Sequence, residues 1–163
     1  MTKRLSALAT LIAIVALGLS THAAHADDIQ ATFHASYTDT ITSASMTEVI
    51  FNGTGRATLL GHSTNSGYAI VTGPGSCAGG FANDDYQTLT AANGDMLTLL
   101  SHDVACPVGG GYYHGIGHWV VTGGTGRFRG ATGQGDFDGL GHLVQGGQLP
   151  FQLTGMIDAP NAD

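Results

Sequence analysis

Apolar and polar residues alternate with a period of two along most of this chain. Ile29, Ala31, Phe33, Ala35 and Tyr37 interleave with Gln30, Thr32, His34 and Ser36, as in a strand with one face against a core. The pattern recurs around 56–62, 68–72, 86–91, 96–102, 112–122, 137–144 and 151–157, which makes about eight predicted strands, and no apolar repeat of period 3.6 accompanies them. Asn93-Gly94 lies between two of them and predicts a type I′ hairpin turn, in which both residues take positive φ. Gly115, Gly117, Gly133, Gly135, Gly139 and Gly141 fall inside predicted strands, at places suited to sharp coiling where side chains would collide. Eight antiparallel strands joined by short turns leave two open edges unless the sheet closes. The expected fold is therefore all-β, a single antiparallel barrel of roughly eight strands, with a two-sheet β-sandwich as the alternative.

The first 26 residues read differently. Lys3 and Arg4 precede an apolar run from Leu5 to Leu19, and Ala24-His25-Ala26 is an A-x-A cleavage site, so 1–26 is expected to be a signal peptide and 27–163 the mature domain. No later segment reaches the ~20 consecutive apolar residues of a membrane span. The expected location is secreted or periplasmic, with no membrane association after cleavage.

Loss of the leader alters the charge balance. Arg56, Arg127 and Arg129 then face twelve carboxylates with no lysine, a formal net charge near −9 against −7 for the whole chain. Sequence-independent affinity for nucleic acid or anionic lipid comes from Lys and Arg on phosphates, so neither is an expected partner. Cys77 and Cys106 are the two cysteines, and an oxidising compartment predicts that they pair.

Gly123, Gly124, Thr125, Gly126, Arg127 and Phe128, followed by Gly130 and Gly133, imitate a nucleotide-binding fingerprint. The helix needed to hold a pyrophosphate is missing, because Gly133, Gly135, Gly139 and Gly141 follow and each costs about 1 kcal/mol in a helix interior. A turn between strands is expected instead, and no nucleotide.

Three segments occur in order: Gly53-Thr54-Gly55-Arg56-Ala57-Thr58-Leu59-Leu60-Gly61, Thr90-Ala91-Ala92-Asn93-Gly94-Asp95, and Thr122 to Phe128 with Gly130-Ala131-Thr132-Gly133. On these residues the chain, from about 29 to 157, resembles exported bacterial proteins with an allene oxide cyclase-like, calycin-type β-barrel, a group related to plant allene oxide cyclases and dirigent proteins. The resemblance implies a tight turn at Gly-Gly-Thr-Gly-Arg-Phe with Phe128 packed inward. It also implies an interior cavity for apolar or aromatic molecules, which some plant members use to steer a cyclisation or a radical coupling by shape. No catalytic or binding position of the plant proteins is carried over.

Histidines and carboxylates hold the remaining chemistry. His114 and His118 are four apart, about 13 Å along a strand, too far for one ion. A metal set drawn from several strands would use His102, Asp103, Asp136, Asp138 and His142, residues that also suit an exposed polar face; no metal or cofactor is expected. His102 and Asp103 are adjacent and so point to opposite sides of a strand, and no serine sits on an elbow turn, which argues against a triad. An inward carboxylate would have its pKa raised by desolvation and serve as a general acid or base. Glu48, the only glutamate after the leader, reads more simply as a solvated strand residue. Arg127 and Arg129 are expected to pair with Asp136 or Asp138 across a hairpin.

Tyr112, Tyr113, His114, His118 and Trp119 gather polar-tipped rings beside the Gly109-Gly110-Gly111 loop, the expected barrel mouth and the candidate ligand site. Tyr113 and Trp119 share one strand face; Tyr112, His114 and His118 share the other. No catalytic residue is assigned. Three functions stay open. The leading expectation, a non-enzymatic exported barrel binding an apolar or aromatic small molecule, predicts a cavity without a clustered, desolvated acid or base. A cyclase or isomerase predicts a buried carboxylate or tyrosine facing that cavity. A structural or protein-interaction barrel predicts a packed interior. Self-association into a homo-oligomer is compatible with exposed apolar strand faces.

Overall fold

The computed structural model describes residues 26–42 and 47–161, with the backbone alone for 39–42. The expected leader, except Ala26, lies outside the described residues. Eight strands follow in order: β1 (Ala26–Thr42), β2 (Thr47–Ala57), β3 (Gly61–Pro74), β4 (Phe81–Ala91), β5 (Met96–Gly109), β6 (Tyr112–Gly124), β7 (Thr132–His142) and β8 (Gln148–Asp158). Each pairs antiparallel with the next, and β8 pairs with β1 from Ala26↔Asp158 to Ser36↔Gln148, so the sheet closes into a barrel. Closure pairs every strand on both sides, which a sandwich would not do.

The alternation has one parity throughout: among the described strand residues, every buried one is odd-numbered. Along β1, β7 and β8 this inner face is apolar, with Phe33 stacked on Phe151 at 5.3 Å between ring centroids and Phe137 tilted against Phe151 at 5.7 Å. Inward glycines make room for such rings. A Cβ on Gly135 would lie 2.5 Å from Cζ2 of Trp119, which is fully buried and donates its indole N–H to the Asp136 carbonyl at 3.0 Å.

Two local expectations are corrected. The strand expected over 56–62 straddles a turn at 58–60, and β2 is the segment before it. Its inward positions include Gly53 and Gly55, which carry no side chain because β1 passes too close; a Cβ on Gly55 would lie 2.5 Å from Cδ1 of Phe33. The apolar alternation is therefore broken where the strand is real. The Asn93-Gly94 turn is not type I′, since Gly94 has φ +88° and Asn93 is not in the positive region. Gly94 N–H donates to the Ala91 carbonyl and Ala91 N–H to the Asp95 carbonyl, both at 2.9 Å, the pattern of a type I turn ending in a left-handed glycine. The Asn93 side chain secures it, accepting from Asp95 N–H at 3.1 Å.

The two ends of the barrel differ. At one end Gly126–Phe128 forms a single 3-10 turn, with Gly126 at φ +55°, and Phe128 and Leu60 are buried as a plug. Thr125 holds this turn to β5, its N–H donating to the Met96 carbonyl at 2.8 Å while its hydroxyl accepts from Met96 N–H at 3.0 Å. At the other end Cys77, in the β3–β4 connection, is disulfide-bonded to Cys106 on β5. Among the described residues, no helix is long and apolar enough to cross a membrane.

Candidate functional site

The end opposite the Phe128 plug contains a cavity of about 50 Å³. Tyr37, Phe51, Phe137 and Leu149 form its apolar wall, and Asn83, Asp85 and Asp103 its polar one. A water needs ~10–15 Å³ measured this way, so the cavity holds about four water-sized groups. That is the head group of a ligand rather than a whole drug-sized molecule. Phe81 and Tyr113, tilted together at 5.3 Å, and Leu143 also line it.

Strand parity explains why two carboxylates are inside. In the doublet Asp84-Asp85 on β4 one side chain must face in, and the register gives that place to Asp85. On β5 the inward series Leu97, Leu99 and Ser101 ends in Asp103, directly across from Asn83. Gly115 and Gly117 on β6 leave space beside it, Gly117 lying directly opposite in register. Asp85 and Asp103 are only 5% and 6% exposed.

One amide joins the pair. Asn83 donates through Nδ2 to Oδ1 of Asp103, and more weakly to Oδ1 of Asp85 at 3.4 Å. Desolvation is the largest effect on both acids. It pushes Asp85 well above the usual carboxylate range, with the neighbouring Asp103 charge adding to it, and raises Asp103 to about 7 although hydrogen bonds from Asp85 and Asn83 pull the other way. The two carboxyls titrate as a pair, and both favour the protonated form more than a free carboxylate does.

Tyr37 is the third member. Its backbone is held on both sides, its N–H donating to the Gly147 carbonyl at 3.0 Å and its carbonyl accepting from Gly146 N–H at 2.8 Å. A Cβ on Gly141 would collide with the Tyr37 hydroxyl, so the glycine keeps that position open. Burial first, then the Asp85 and Asp103 charges, pushes the phenol above its ordinary value, and it stays a hydrogen-bond donor.

Below this group the polar wall continues down β3, β4 and β5. Asn65 donates to the Gln87 side-chain oxygen at 3.1 Å, and Gln87 to the Ser101 hydroxyl at 3.5 Å. Ser63 Oγ, Asn65 Oδ1 and Asn83 Oδ1 are buried without a protein partner. Buried polar atoms are almost always satisfied, so Asn83 Oδ1, which lines the cavity, suits ordered water or a polar atom of a ligand, and the two deeper atoms suit ordered water.

The residues expected at the mouth are divided between the two faces of β6. Tyr113 lines the cavity, whereas Trp119 lies deeper, in the packed core. Tyr112, His114 and His118 are outside: Tyr112 stacks on His142 at 4.5 Å, His114 pairs with Asp138 at 3.0 Å and His118 with Asp136 at 2.7 Å. The multi-strand metal set is likewise separated, with Asp103 inside and His102, Asp136 and Asp138 outside. Asp136 and Asp138 being held by histidines, Arg127 instead lies 3.7 Å from Asp95, which corrects the expected cross-hairpin pairing. Glu48 is half-buried beside an outer groove with Tyr68 and Tyr86.

Asp85 was not singled out from the sequence. The signal was present in Asp84-Asp85, since two adjacent acids in a strand cannot both reach solvent, and in Asp103, which shares parity with Leu97 and Leu99.

No family model matches the chain, and no curated protein matches its sequence. Among solved structures, a pterocarpan synthase dirigent protein matches over 93% of this chain and 98% of its own, at 15% identity and a TM-score of 0.28. At that identity and score the likeness carries no weight, and the barrel rests on its own strand pairing.

Proposed function

We propose that the protein is a small-molecule barrel of the isomerase or cyclase kind, which moves protons at the head group of an apolar or aromatic ligand seated in its open end. The observation that carries this reading is the Asp85–Asp103 pair, buried against an apolar wall in a cavity with an open side. A purely binding barrel has no use for two desolvated acids, and a structural barrel would fill the space. The setting we propose is outside the cytoplasm, supported by the disulfide, a bond that persists in oxidising compartments.

The chemistry follows from the proton inventory. Asp103, as carboxylate, accepts a proton from carbon adjacent to a ligand carbonyl, while protonated Asp85 donates to the carbonyl oxygen; the product is an enol. Where that enol is conjugated with a further double bond, Asp103 returns its proton to the far carbon while Asp85 takes back the enol proton, which completes a double-bond shift without any other reactant and leaves both acids in their starting state. The Tyr37 phenol donates a second hydrogen bond toward the oxygen. The small cavity accepts the reacting end, and the apolar remainder lies across Phe81, Tyr113 and Leu143.

The test is solvent deuterium exchange into phenylacetone, followed by NMR at neutral pH. Exchange above the buffer rate with the wild-type protein, lost in Asp103→Asn and Asp85→Asn variants that still unfold cooperatively, is the expected result. Exchange at the buffer rate, or exchange retained in both variants, overturns the reading.

A further inference from the structure

On the outer wall, four polar residues form one row across four strands. Asp84 on β4 pairs in register with His102 on β5, His102 with His118 on β6, and His118 with Asp136 on β7. The row is symmetric: His102 Nδ1 lies 2.6 Å from Asp84 Oδ1, and His118 Nδ1 lies 2.7 Å from Asp136 Oδ1. A carboxylate oxygen only accepts, so in the neutral ring the proton sits on Nδ1 and the Nε2 lone pair is the one open to an ion.

Ring geometry then sets where those lone pairs are. Nε2 is bonded to Cδ2, on the opposite side of the imidazole from Nδ1. Because each Nδ1 is turned outward, to β4 in one case and to β7 in the other, the Nε2 side of each ring is turned toward the other histidine. The strands that carry the rings are ~4.8 Å apart. Two nitrogens on one ion, at bonds of ~2.0–2.1 Å, stand about 3 Å from each other, a separation this spacing allows.

We propose that His102 and His118 bind a single late first-row divalent ion, Cu²⁺ most tightly, through their two Nε2 atoms, with Asp84 and Asp136 as positioning residues. The carboxylate–histidine–metal arrangement is the usual way a protein orients an imidazole ligand and raises its basicity. Imidazole pairs suit Cu²⁺, Ni²⁺ and Zn²⁺, and affinity peaks at Cu²⁺. Among the described residues no three His, Cys, Asp or Glu side chains gather in one shell, so water completes the coordination and the ion stays exchangeable. The in-register aliphatic pairs Leu100–Val120 and Val104–Ile116 flank the histidines on either side, and the His102 and His118 side chains are 62% and 84% exposed, open to an ion from solvent. The site lies outside the barrel and does not depend on the proposed proton chemistry.

The experiment uses untagged protein and Cu²⁺ alone, with calorimetry for stoichiometry and affinity and NMR line broadening for location. One ion per chain is expected, broadening the ring protons of His102 and His118 first. His102→Asn and His118→Asn should each weaken binding at least tenfold, and His114→Asn should leave it unchanged. Asp84→Asn and Asp136→Asn should weaken it about tenfold, the lower end for an orienting carboxylate. They should also shift the nitrogen-15 resonances of their own histidine toward a mixed tautomer, which a merely structural role would not do. Broadening spread evenly over all histidines, or affinity unchanged in His102→Asn and His118→Asn, overturns the proposal.

Discussion

Replacing Asp103 by Asn should change how stability depends on pH. The Asp103 carboxyl titrates at 3.8 when unperturbed and at about 7 in the folded protein, chiefly because burial disfavours its charged form. Between those values the native state holds a proton that the unfolded chain has released, so unfolding loses protons and stability falls as pH rises. The contribution is fully present below about pH 4 and is lost as pH passes through about 7. A separation of roughly three units at 1.36 kcal/mol each amounts to about 4 kcal/mol. Asn is isosteric, keeps an acceptor for Asn83, and does not titrate. The other carboxylates are common to both proteins, so the informative quantity is the difference between wild type and variant, to which Asp85 adds in the same direction because the variant no longer sets the Asp103 charge beside it. Urea unfolding at half-unit steps from pH 4 to 8 measures it. Asp103→Asn should gain about 4 kcal/mol on the wild type across that range, with most of the change between pH 4 and 7. A difference that stays constant with pH, or changes with the opposite sign, would refute the assignment of a buried, proton-holding carboxyl.

The plug and the disulfide offer two further checks. Phe128→Ala empties a fully buried site at the closed end and should cost about 3–5 kcal/mol by urea unfolding; a loss below 1 kcal/mol would mean that the end is not sealed by this ring. Replacing Cys77 and Cys106 together by Ala removes a link spanning 29 residues and should lower stability by about 3–4 kcal/mol in the chain-entropy account, with the same midpoint then found with and without reductant.

Much of the barrel was legible in the chain because a strand's side chains alternate with a period that does not depend on its neighbours. Ile29 to Tyr37, Met96 to His102 and Phe151 to Ile157 announce themselves in this way, and the structure extends their ends without changing their nature. β2 was not legible, since Gly53 and Gly55 sit where apolar side chains would have marked it, and the reason is the close passage of β1, a neighbour in space. The inner wall of β3 to β5 was hidden for a related reason. Asn83, Asp85, Gln87 and Asp103 point inward while Tyr68 and Tyr86 stack outside at 4.9 Å, so the rule that the oily face is the inner one inverts locally.

What the sequence determined by itself is therefore local: strand periodicity, the glycines that exclude a phosphate-binding helix, and the parity that sends His102 and Asp103 to opposite faces. What only the tertiary structure decided is which face is the interior and which distant residues meet there. Asp85 and Asp103 lie 18 positions apart in the chain, and Tyr37 comes from the first strand. Their proximity and their raised pKa values arise from closure of the barrel, which removes water from all three at once.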